Sequence, residues 1–158
     1  MLTFCQFSEA VKLPLYHGTA DVHVASIKQH GLLAKPSVYL TTDLLVALQE
    51  AVHAVHGDPY AETKASSRAL PLDGAKPVIL VIDRGRVKGL KHDPEYLEGS
   101  TVRAHAFMTQ QNIEASAIQR IVKGKASLKR LLDEFLRAGG EKEDSYRWYS
   151  VKRLLNEV

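Results

Sequence analysis

Between Leu15 and Val122 short apolar runs of period two alternate with longer runs of period three to four, the pattern of strands interleaved with helices. Leu15-Tyr16-His17, after Pro14, predicts a short strand ending at Gly18-Thr19, where glycine lets the backbone turn or be approached closely. Asp21 stands where an N-cap belongs, ahead of a helix whose Val24, Ala25 and Ile27 share a face and which Gly31 closes. Ser37 to Thr41 alternates again, with Val38 and Leu40 on one face and Tyr39 and Thr41 on the other. Thr42 or Asp43 caps the clearest helix, in which Leu44, Leu48, Ala51, Val52 and Val55 recur at helical steps until Gly57-Asp58-Pro59. Val78 to Ile82 is continuously apolar, which predicts a strand buried on both faces and central in its sheet. Glycines and Pro94 break up 84–100, Thr101 to Met108 reads as a further strand, Ile113 sits in a turn, and Ile118 to Val122 is a last short strand.

The stretch 57–76 is rich in small and turn-forming residues, and its length without periodicity marks it as a mobile lid. Leu128, Leu131, Leu132, Phe135 and Leu136 trace one helical face as far as Gly139-Gly140, and Trp148, Val151 and Leu155 trace another. The second of these helices has Glu141, Glu143 and Asp144 early and Lys152 and Arg153 late, as the helix dipole favours. Tyr146, Trp148 and Tyr149 read as anchors of that terminal helix. The result is one α+β domain over 1–158, with a core at 14–122 and C-terminal helices at 123–158.

At 45% apolar and 25% charged residues the chain can build one ordinary core and keep its surface solvated. No stretch reaches the roughly 20 apolar residues of a membrane helix, and Met1 to Leu13 lacks a basic then apolar leader, so a cytoplasmic protein with no membrane partner is expected. The single cysteine, Cys5, cannot form an internal disulfide and reads as a packing residue. His53 and His56 lie three apart on one helix without a third ligand nearby in sequence, so no metal is expected. The net charge of +3 is unevenly spread: residues 1–119 hold 11 Lys and Arg against 12 Asp and Glu, whereas 120–158 hold 10 against 6. Such a basic tail is either a solvated helix face or a polyanion platform.

Residues 15–51 carry the functional signal. His17-Gly18-Thr19, Ile27, Gly31-Leu32 and Val38-Tyr39-Leu40, followed by Ala47 and Ala51, form a strand, helix, turn, strand and helix in order. This set resembles the ADP-ribosyltransferase superfamily. Lys76-Pro77-Val78-Ile79-Leu80-Val81-Ile82-Asp83 resembles that superfamily's core strand, most closely in the bacterial and yeast RNA 2′-phosphotransferases, and Asn112-Ile113 to Ile121 resembles its closing turn and strand. The resemblance covers about residues 14–122 and rests on the ordered combination. It implies a split β-sheet core, two small packed sheets around an NAD cleft, with flanking helices and a C-terminal helical appendage.

The resemblance also implies roles. His17 would bond a ribose hydroxyl of NAD, the Gly18 backbone would grip the nicotinamide carboxamide, and the Tyr39 ring would stack on nicotinamide, with Thr19 and Thr41 as further cofactor contacts. Alternation is compatible with this, because residue 17 shares a face with 15 and residue 39 with 41, so both side chains can enter one cleft. Many members place a glutamate at the position that here falls on 105–107, where the residues are His105, Ala106 and Phe107. His105 is the substitute contact, ahead of Gln110 and Glu114.

That departure argues against elongation of poly(ADP-ribose). It leaves mono-ADP-ribosylation of a nucleic acid or protein, an NAD-dependent RNA 2′-phosphotransferase, or a module that only binds NAD or nucleic acid. The phosphotransferases usually have a histidine where Tyr39 stands and an N-terminal lobe for which 13 residues leave no room, so mono-transfer is expected, in a role such as a toxin or phage effector. A nucleic-acid acceptor is favoured slightly over protein, with Arg120, Lys123, Lys125, Lys129 and Arg130 as phosphate contacts.

Overall fold

The computed structural model describes residues 13–57, 71–95, 105–140, 151–152 and 155. Among these, six strands form one sheet: β1 (Leu15–Ala20), β2 (Val38–Thr41), β3 (Pro77–Ile82), β4 (Lys91–His92), β5 (Ala106–Thr109) and β6 (Ile118–Lys123). Their order across the sheet is β4-β5-β2-β1-β3-β6, with every neighbouring pair antiparallel. Three helices lie wholly among the described residues: α1 (Val24–His30), α2 (Leu44–His56) and α3 (Lys125–Arg137). The architecture is mixed α+β.

Alternation along β3 explains the two layers. Ile79 and Val81 join Tyr16 of β1, Val122 of β6 and the apolar stripes of α2 and α3 in one cluster. Val78, Leu80 and Ile82 join Leu15, Leu40, Phe107, Ile113 and Ile27 of α1 in a second cluster on the other face. β3 is therefore buried along its whole length, at about 1.5–3 kcal/mol for each large side chain removed from water. It lies one place from the sheet edge, not at the centre, because β6 alone flanks it on the outer side.

α3 packs into this core. Leu128, Leu131 and Leu132, with Val151 and Leu155 beyond it, are buried in the same cluster as Tyr16 and Leu44. The Trp148 and Tyr146–Tyr149 expectations lie outside the described residues.

Several local expectations shift. β1 runs through Gly18 and Thr19 to Ala20, because β3 supplies a ladder partner for each of its residues. Asp21 does not cap a helix: its carboxylate accepts the Lys76 N–H at 2.9 Å, and a 3-10 turn over Asp21–His23 leads into α1. Asp43 does cap α2, accepting the Leu45 N–H at 2.9 Å. Gly31 ends α1 at φ 73°, and a Cβ there would stand 2.0 Å from the Ile113 carbonyl oxygen, so both its conformation and the Leu32–Ile113 bridge require glycine. Most of the expected lid, 58–70, lies outside the described residues. Its last described part is tied down: the Leu72 N–H donates to the Val55 carbonyl at 2.8 Å, and Ala75 is buried against Ala20 and Val55.

The sheet has one seam. Six residues of β1 keep register with β3, from Leu15↔Ile82 to Ala20↔Pro77, whereas only Tyr16↔Thr41 joins β1 to β2. The molecule thus holds one hydrogen-bonded sheet that parts between β1 and β2, in place of the two packed sheets expected.

Candidate functional site at the seam

Where β1 and β2 part, a cleft of about 440 Å³ opens. β1 contributes Tyr16, His17 and Gly18, and β2 contributes Tyr39, Leu40 and Thr41. α2 adds Val46, Ala47 and Glu50, and the loop before β2 adds Lys35, Pro36 and Ser37. Ala106 and Phe107 of β5, with Asp93 and Glu95 just after β4, complete the lining.

His17 and Tyr39 do reach one cleft, but not by the expected route. In an antiparallel pair, residues directly opposite share a face. The Tyr16↔Thr41 register therefore puts Tyr39 and Thr41 on the face of Tyr16 and Gly18, and His17 on the face of Leu15. A continuous ladder would separate the two side chains; the parting of the strands exposes both to the same space. His17 also bridges the gap, with Nδ1 2.8 Å from the Tyr39 carbonyl oxygen. A carbonyl only accepts, so Nδ1 is the donor in this bond. One side chain thus replaces part of the missing ladder.

Gly18 lines the cleft, yet its lack of a side chain answers to α2. A Cβ there would lie 2.0 Å from the Ala47 carbonyl oxygen and 2.5 Å from the Ala51 nitrogen. Ala47 and Ala51, both fully buried, are small for the same reason: they seat α2 directly on β1. Thr41 lines the cleft and accepts the Asp43 N–H at 2.9 Å, whereas Thr19 is buried and stands outside the lining.

His105 is exposed and stands outside the lining. Its Nδ1 lies 2.8 Å from Thr42 Oγ1 and its carbonyl accepts the Thr42 N–H at 3.0 Å, so it locks the entrance to β5 against the end of β2. Gln110 and Glu114 are likewise exposed and outside it.

The acids that do face the cleft are Glu50, Asp93 and Glu95. Asp93 is only 4% exposed. Its N–H donates to the Ala106 carbonyl at 3.1 Å and its Oδ1 accepts the Glu95 N–H at 2.9 Å. β4 holds it there: the His92 ring stacks on Phe107 at 4.7 Å, and the Arg84 guanidinium lies over the same ring at 4.6 Å. Sequence reasoning missed these acids because a two-residue strand has no readable period. Asp93-Pro94-Glu95 does have the form of an Asx turn, the one local sign of an ordered loop.

The proposed phosphate contacts occupy another region. Arg120 and Lys123 lie on β6, separated from the seam by β3 and β1, and Lys125, Lys129 and Arg130 lie on α3. None lines the cleft. Arg120 donates to Glu134 at 2.7 Å, and that hydrogen bond holds the Glu134 carboxyl below its ordinary pKa. On the same face burial pushes the Tyr16 phenol above its ordinary 10.0. Among the described residues no three His, Cys, Asp or Glu side chains gather as metal ligands. No protein-family model and no curated protein matches the chain.

Proposed function

We propose that the seam binds the nicotinamide end of NAD and that the protein transfers ADP-ribose from NAD to a macromolecular acceptor. The observation that carries this reading is the convergence of His17 and Tyr39, the two residues singled out by the family resemblance, on one cleft between parted strands. The space falls within the roughly 300–1,000 Å³ of small-molecule sites, and it sets the Tyr39 ring, Val46 and Phe107 beside convergent polar groups. A flat cationic ring suits such a lining.

Each residue then has a task. His17 meets a ribose hydroxyl, and its Nδ1 bond to the Tyr39 carbonyl keeps the Tyr39 backbone aligned. The Tyr39 ring stacks on nicotinamide. When the nicotinamide–ribose bond breaks, the bonding pair leaves with nicotinamide and positive charge develops on the ribose. The carboxylates of Asp93 and Glu95 stabilise that charge from a partly dry wall, standing in for the acid missing at 105–107. The same acids disfavour the 2′-phosphotransferase reading, which would bring an RNA phosphate dianion against them.

Nicotinamide release from NAD in the presence of a cell lysate tests the proposal. His17→Ala and Tyr39→Ala are each expected to slow release by about tenfold or more, the loss of one hydrogen bond or stacking contact in the transition state. Tyr39→Phe, which keeps the ring, is expected to retain most of it. Intact NAD after prolonged incubation with the wild-type protein would sink the reading.

A further inference from the structure

The geometry points to a second site, apart from the seam: a face built from β6 and α3 that binds the phosphate backbone of duplex DNA. It is independent of the transferase reading and uses none of the residues that line the cleft.

Arg130, Glu134 and Arg137 follow one another at steps of four and three, so they share one flank of α3. Arg120 reaches that flank from β6, because it stands opposite Val81, which packs in the layer of α3. Its Nη1 donates to Glu134 Oε2 at 2.7 Å. The Arg120 hydrogen bond holds the Glu134 carboxyl below its ordinary pKa, and the charges of Arg137 and Arg130 act in the same direction. Three guanidinium groups thus gather about one carboxylate, and the cluster keeps an excess of positive charge. Its extent differs from that of the basic tail. Lys123 stands opposite Val78, which packs in the other layer, and Lys129 falls on the adjoining flank of α3, one turn before Asp133.

The character of the face selects its partner. Among the described residues every exposed side chain of β6 and α3 is polar or small. Single strands are held by stacking their bases on aromatic rings, and protein partners by apolar anchors at the centre of the contact. A DNA duplex hides its bases and presents one negative charge about every 1.7 Å of its axis, which guanidinium groups take up without either device. Glu134 stands where a phosphate would sit. Its pair with Arg120 is 45% and 41% exposed, a class of ion pair weak enough to give way to a phosphate.

Fluorescence anisotropy of a labelled DNA duplex titrated with the full chain tests this. Binding is expected with Kd on the order of 10⁻⁵ M at about 50 mM salt, and log Kd should rise with log salt at a slope of about 3, one for each arginine. Arg130→Gln and Arg137→Gln should each weaken binding and reduce that slope by about 1. Glu134→Gln should tighten binding about fivefold, because it removes a like charge and releases Arg120. Lys28→Gln, on α1 in the other layer, removes the same charge as Arg130→Gln and should leave Kd unchanged. Absence of binding at millimolar protein overturns the inference, as does a Glu134→Gln affinity no tighter than that of the wild type. So does a Lys28→Gln effect as large as that of Arg130→Gln, or tighter binding to single-stranded DNA, duplex RNA or polyglutamate than to the duplex.

Discussion

At the scale of single residues, two positions change meaning between sequence and structure. Gly18 belongs to the His-Gly-Thr signature, where glycine lets the backbone turn or be approached closely, and it is the helix α2 that makes the approach and excludes a side chain. Gly18→Ala is therefore expected to destabilise the fold by about 3 kcal/mol, the upper range for overpacking against backbone atoms that cannot swing aside. Urea denaturation measures this directly, and a change under 0.5 kcal/mol would mean that α2 shifts at little cost. The family resemblance pointed to Tyr39 as a cleft residue, but its face was not legible, because alternation gives faces only once a register is known. No residue type announces that Tyr16 stands opposite Thr41.

Among elements, β2, α2 and α3 were readable from a repeated period and β3 from a continuous apolar run. β4 was not, since Lys91 and His92 together are too short to show one. It is held from outside, by Phe107 beneath His92 and by the Thr109 hydroxyl donating to the Lys88 carbonyl at 2.6 Å. The acids of the cleft hang from this element, so the least legible strand positions the chemistry that was missed. Phe107→Ala is expected to cost about 3 kcal/mol in stability, as for other buried aromatic truncations. It should also lower nicotinamide release beyond the loss of folded protein, because Asp93 and Glu95 lose their support. Phe107→Leu, which keeps most of the volume without the ring, separates the two effects. Unchanged release by folded Phe107→Ala protein would show that the β4–β5 ladder alone sets the acids.

For the whole molecule, Tyr16 couples the cleft to the core beneath it. It lines the seam while its ring meets Phe135 of α3 edge-on at 6.2 Å. Burial raises its pKa in the folded state, with the nearby Arg120 lowering it and Glu134 raising it by lesser amounts. The folded form therefore holds the phenolic proton more tightly than the unfolded chain does. This contribution is fully present below pH 10.0, the ordinary value, and is lost as pH rises through the higher folded value. Tyr16→Phe is expected to flatten the alkaline decline of stability, measured by denaturant titration across that window. Equal slopes for the two proteins would assign the decline to other groups.

The single register pair at the seam acquires another meaning once the path of the chain is followed. One half of the sheet holds β4, β5 and β2, the other β1, β3 and β6, and the backbone passes from β1 to β2, β2 to β3, β3 to β4 and β5 to β6. It laces the halves together four times, although the ladder joins them only once. The halves cannot separate as two lobes on a hinge; they are sewn. Between them the clasp from His17 to Tyr39 spans the slot, so its two sides are tied both along the chain and across it.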